Sequence, residues 1–220
     1  HAPLLNAMLW GVKGGISDSV YDAFRSCGIA HILALSGLHV SFVVGALNRL
    51  ARRARPKVRF YISMAVLFSY CAIAAFPASL IRASVMSLCS LYAAAAGRRY
   101  DMPSGIAFSA IVILLADPTA LYSIGFELSF GAVIMISLLM RPVTELLSFL
   151  PLPIAQMAAL SVCGTLGTLP LSVYYFGTIP VLGLFANTLI LPMVPFVFLS
   201  ALAVNLIGII LPAAAKALSF

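Results

Sequence analysis

The sequence predicts an all-α, polytopic integral membrane helical bundle of about seven spans, some of them short or broken. Three observations predict it. The 220 residues are 63% hydrophobic and only 9% charged, with a mean hydropathy of +1.11; a globular domain carries about 25% charged residues. The apolar residues come in continuous blocks long enough for a core of ~30 Å, not in the ~10-residue alternating segments of a membrane barrel. Lys and Arg gather at alternate ends of the blocks, the asymmetry that marks cytoplasmic loops.

The elements follow in order. Residues 1–27 are the most polar stretch and read as an extracytoplasmic, interfacial lead-in to a membrane domain over 28–220. Gly11, Gly14 and Gly15 break it, and Ser17 and Asp18 suit the N-cap of a short helix. Trp10 and Tyr21 suit the headgroup level. The first span is expected at 28–47, and the basic cluster Arg49, Arg52, Arg53, Arg55, Lys57 and Arg59 follows at once. The second span is expected at 58–76, the third at 79–96, and a short fourth at 105–116. The fifth is expected at 121–140, then a short interfacial helix over 143–150 and a sixth span at 153–176. Pro170 should kink that sixth span, and Gly164 and Gly167 should let a neighbouring helix approach closely. The last apolar stretch, 181–211, is too long for one straight span, and Pro192 and Pro195 mark a break near Asn187. On this topology nine of the thirteen basic residues are cytoplasmic, so the net charge of +7 needs no nucleic acid to explain it.

Cys27, Cys71, Cys89 and Cys163 form no C-x-x-C pair, and three of them lie inside apolar runs. No metal site, disulfide framework or cofactor is expected. The chain opens on His1 without a signal-peptide pattern and reads as a piece of a larger protein.

Polar side chains at membrane depth are costly and point to function. Ser36 and His39 lie about 60° apart on a helix and one turn apart, so they can touch. His31 lies nearer the outer surface, and Gly37 allows close packing. Arg82 begins a small, polar face of the third span that includes Ser90. Its alternative is to snorkel toward the outer headgroups. Glu127 sits about two turns into the fifth span, and Arg82 is its natural partner at matching depth. The candidate path-lining residues are thus His31, Ser36, His39, Arg82, Ser90, Glu127 and Asn187. Each also has a structural reading as a helix-packing hydrogen bond or ion pair.

Several stretches, in order, resemble the membrane-embedded competence domain of the ComEC DNA-uptake channel family. They include Phe24-Arg25-Ser26-Cys27-Gly28, Ser36-Gly37-Leu38-His39-Val40, Ile81-Arg82-Ala83-Ser84-Val85-Met86 and Gly97-Arg98-Arg99-Tyr100-Asp101. Gly125-Phe126-Glu127-Leu128-Ser129-Phe130 and Asn187-Thr188-Leu189-Ile190-Leu191-Pro192 complete them. The family pattern has Gln where this chain has Glu127, and a further Gln where this chain reads Gly164-Thr165-Leu166-Gly167. The resemblance implies a channel that carries single-stranded DNA across the cytoplasmic membrane during natural transformation. It implies an extracytoplasmic DNA receptor and a cytoplasmic motor or single-strand-binding proteins as partners. No His-x-His-x-Asp-His motif occurs, so no nuclease activity, and no enzymatic activity, is expected.

A strand with one charge per nucleotide needs a wet, partly positive path. Phe42, Phe126, Tyr174 and Tyr175 could stack bases without sequence preference. No G-x-x-x-x-G-K-[ST] motif is present, so the energy must come from elsewhere. Two rival readings remain: an intramembrane serine protease using Ser36 and His39, and a small-solute transporter suggested by the broken last span.

Overall fold

The computed structural model describes residues 37–177 and 193–210, with Ser17, Ser19, Val20 and Ile190; side chains are described as far as Asn205. His31, Ser36, Asn187 and Pro192 lie outside the described residues. The described chain is all helical: α1 (Gly37–Leu50), α2 (Pro56–Ile73), α3 (Ala78–Ala95), α4 (Met102–Ala116), α5 (Ile124–Leu146), α6 (Leu152–Phe176) and α7 (Val194–Ile210). A 3-10 turn over Pro118–Tyr122 joins α4 to α5.

Three described helices, α3, α5 and α6, are long and apolar enough to cross a membrane; α4 and the start of α7 are shorter apolar helices. Phe68, Ile73, Leu115, Leu138 and Phe196 are exposed on the outside of the bundle. A surface that apolar is matched to lipid rather than water. This is an all-α membrane bundle.

α3 is the hub. One core cluster joins Val40 and Val43 of α1, Leu67 and Tyr70 of α2, Leu80 and Ala83 of α3, and Phe198 of α7. A second joins Ile106 and Ile113 of α4 with Phe126 and Phe130 of α5, and Ile81 and Met86 of α3 pack against it. Buried Cys71 and Ser84 add a polar contact of 3.4 Å between α2 and α3. α5 and α6 form a closely packed pair. A Cβ on Gly131 would stand 2.7 Å from the Gly167 carbonyl oxygen, and a Cβ on Gly167 would collide with Gly131.

Helix ends follow local chemistry. Asp101 caps α4, accepting from the Ser104 amide at 2.9 Å, and Pro103 fits the first turn, where its missing N–H costs nothing. That cap starts α4 at Met102, three residues before the expected Gly105. Ser123 caps α5 by accepting from the Phe126 amide at 3.2 Å, so residues 121–122 belong to the 3-10 turn. At its other end α5 runs through Pro142 to Leu146, and the separate interfacial helix expected over 143–150 is absent. Thr144 Oγ1 donates to the Met140 carbonyl at 2.6 Å, and Arg141 pairs with Glu145 at 3.0 Å across one turn. α6 is likewise one continuous helix with Pro170 inside it. Pro195 sits in the first turn of α7, a position proline tolerates.

Candidate functional site

The second turn of α3 carries the buried Arg of the described bundle. Arg82 is 7% exposed. Its guanidinium lies 5.8 Å from the Phe130 ring centroid, and Nη1 lies 4.0 Å from the Met86 sulfur. Nη2 sits over Gly37 of α1, where an added Cβ would come within 3.3 Å of it. Nε is buried with no hydrogen-bond partner. An aromatic face and a thioether are soft partners that do not neutralise a full charge. The expected pairing with Glu127 is not formed. The Glu127 carboxylate instead accepts a hydrogen bond of 2.9 Å from the Tyr175 hydroxyl of α6.

Below Arg82 the facing sides of α1 and α3 are small and polar. On α1, Gly37, Ser41, Gly45 and Asn48 recur at helical spacing along one face. Ser41, Gly45 and Asn48 meet Ser87, Ser90 and Leu91 of α3 around a cleft of about 260 Å³. Ser41 returns its hydroxyl to the Gly37 carbonyl at 3.0 Å, and Asn48 Oδ1 is buried without a partner. From Arg82 to Ser90 this seam spans about 12 Å at 1.5 Å per residue. Sequence reasoning found Arg82 and Ser90 but missed Ser41, Asn48 and Ser87. The spacing of Gly37, Ser41, Gly45 and Asn48 was the signal that could have found the two on α1.

His39 lies on a different face of α1. It is fully buried, with its ring centroid 4.8 Å from that of Phe198 in α7, and it does not line the cleft. Phe42 turns the same way, 6.0 Å from Phe198. Phe126 is buried and stacks on Phe130 at 4.2 Å. Tyr174 is exposed and meets Tyr175 edge-on at 5.0 Å. Of the packing glycines, Gly167 makes the tight contact with Gly131, whereas a Cβ on Gly164 would meet only Ile136 Cδ1 at 4.0 Å.

Tyr100, in the loop after α3, sends its hydroxyl over bare Gly105, where an added Cβ would collide with it. That hydroxyl is buried without a partner, and burial raises its pKa. Arg82 is close enough to act on it electrostatically in the opposite direction. No group of three or more potential metal ligands occurs among the described residues.

An apolar exterior around a polar, cation-bearing seam defines a helical membrane protein with a hydrophilic interior surface. The chain belongs to the competence protein family, whose model matches residues 8–220. It is 28% identical over 199 residues to ComE operon protein 3 of Bacillus subtilis (strain 168), covering 89% of this chain and 25% of that protein. It is 32% identical over 139 residues to competence protein ComA of Neisseria gonorrhoeae, covering 59% of this chain and 20% of that protein. The chain thus spans a quarter or less of the length of these relatives. No solved structure matches it.

Proposed function

We propose that this chain forms a conduit for single-stranded DNA across the cytoplasmic membrane in natural transformation, acting as a passage and not as an enzyme. One observation carries the reading: Arg82 is a buried cation with no counter-ion among the described residues. A buried charge without a partner costs several kcal/mol, and a phosphodiester supplies the partner. The contact is single and its surroundings soft, which suits a chain that must bind weakly enough to leave. Apart from Val44 and Leu91 the cleft walls are small side chains, so a nucleotide needs α1 and α3 to part more than large rotamers to rearrange. The family match and the relatives named for competence support the same reading.

The orientation follows from charge. Arg49, Arg52, Arg53, Arg55, Lys57, Arg59, Arg98 and Arg99 lie at or just beyond the ends of α1, α2 and α3 that meet at one pole of the bundle. The positive-inside rule makes that pole cytoplasmic. DNA then meets Arg82 first and leaves past Ser90 and Asn48. An extracytoplasmic DNA-binding receptor and a cytoplasmic motor or single-strand-binding protein complete the pathway, since the chain carries no nucleotide-binding motif.

The test is transformation frequency measured beside membrane abundance. Arg82→Ala should lower transformation at least about tenfold at normal abundance, the loss of one charge-assisted contact. Arg82→Lys should retain part of the activity if the residue acts as a point charge. Normal transformation in Arg82→Ala at normal abundance overturns the reading.

A further inference from the structure

We infer that the connection between α1 and α2, with the neighbouring end of α3, is a binding surface for anionic phospholipid headgroups. Six cations, Arg49, Arg52, Arg53, Arg55, Lys57 and Arg59, occupy eleven positions without a carboxylate among them. All but Arg59 are exposed. The one ion pair among the described residues is Arg141–Glu145, so none of the six is neutralised within the described bundle. Lys57 and Arg59 stand in the first turn of α2, which has no acidic residue and no side-chain cap. The helix dipole disfavours cations there, so an external anion lowers the cost twice.

The same surface carries the marks of the membrane interface. Phe60 packs edge-on against Tyr61 at 5.5 Å and against Tyr92 of α3 at 5.9 Å. Tyr61 is 61% exposed and Tyr92 64% exposed, facing outward from the bundle. Amphipathic rings of this kind sit at headgroup level. The Phe60–Tyr92 contact also brings Arg98 and Arg99, just past α3, to the same pole. Cations flanked by lipid-facing aromatics meet headgroup phosphates in the plane of the bilayer, and clustered Lys and Arg beside a span attract anionic lipid. None of the six lines the α1–α3 cleft, the route proposed for DNA.

The experiment is native mass spectrometry of the chain in detergent, titrated with phosphatidylglycerol or phosphatidylcholine of matched acyl chains. Phosphatidylglycerol should be retained about tenfold more strongly. Arg52→Gln/Arg53→Gln/Arg55→Gln should abolish most of that preference, and the corresponding triple Lys substitution should keep it and control for folding. Arg141→Gln, which removes a cation already paired with Glu145, should leave the preference unchanged. The inference is overturned if the parent shows no preference, if the triple Gln variant keeps it, or if Arg141→Gln loses it equally. Displacement of the lipid by a short oligothymidylate at equal phosphate concentration also overturns it, in favour of a nucleic-acid surface.

Discussion

Gly131 of α5 and Gly167 of α6 meet backbone to backbone, so closely that neither position has room for a methyl group. With no hydrophobic force between helices in lipid, such approach is what lets dispersion and weak Cα–H contacts hold the pair. Gly167→Ala should therefore push α5 and α6 apart and destabilise the protein by about 1–3 kcal/mol, the usual cost of overpacking. Gly164→Ala, one turn away with only Ile136 Cδ1 at 4.0 Å, should change stability by less than about 0.5 kcal/mol. Thermal denaturation in detergent compares the two, and equal effects would mean the crossing is not where stability resides.

The α2–α3 turn stores strain that a single substitution should release. Ala75 and Phe76 both hold left-handed backbone, at φ 59° and 55°, and the Phe76 amide donates to the Cys71 carbonyl at 2.8 Å. For a non-glycine residue that conformation costs about 1–2 kcal/mol. Ala75→Gly should stabilise the protein by about 1 kcal/mol, net of the added freedom of the unfolded chain. Phe76→Gly should gain nothing comparable, because it also removes the ring contact with Phe68 at 5.9 Å. A melting temperature that falls in Ala75→Gly would show that the turn is not strained as described.

The two ends of α4 should be acid-sensitive. Asp101 accepts from the Ser104 amide and hydroxyl, and Asp117 accepts from the Thr119 amide at 2.9 Å and its hydroxyl at 2.6 Å. These hydrogen bonds hold both carboxyl groups below the ordinary aspartate value. A folded pKa below the unfolded one gives stability that is complete above the unfolded value of about 3.9 and is lost as pH falls through the lower folded value. Melting temperature should thus drop below about pH 4, and Asp101→Asn, which still caps but does not titrate there, should flatten part of that drop. An unchanged slope in Asp101→Asn counts against the cap as its source.

Much of this was legible in the sequence. α2, α3 and α6 start within two residues of where apolar runs and flanking charges place them, because lipid imposes length and polarity on a span directly. α5 was misread at Pro142, since a proline inside a helix removes one backbone hydrogen bond without always ending the helix, and here the helix runs on to Leu146. The site was legible in depth but not in direction. Arg82 and Glu127 start from the same side of the membrane, yet Phe130 faces Arg82 while Glu127 turns to Tyr175, forty-eight residues on. His39 and Ser41 are two residues apart, which on a helix sends one to Phe198 and the other to the cleft. Which face meets which helix is tertiary information, and no local pattern carries it.

That division of α1 into faces yields the sharpest test of the seam. A Cβ on Gly37 would meet Arg82 Nη2 and Ala83 Cβ, each at 3.3 Å, so Gly37→Ala must shift the guanidinium or part the helices. A Cβ on Gly45 meets nothing within 4 Å because it points into the cleft. Gly45→Ala should therefore fold and transport as the parent does. Gly45→Leu should also reach the membrane, but its side chain would occupy the cleft between Ser41 and Asn48. If the seam is the route, Gly45→Leu lowers DNA entry at least about tenfold, as a plug would, while its melting temperature stays near that of Gly45→Ala. Full transformation by a stably inserted Gly45→Leu variant would place the strand elsewhere in the bundle and leave the cleft as a packing defect between α1 and α3.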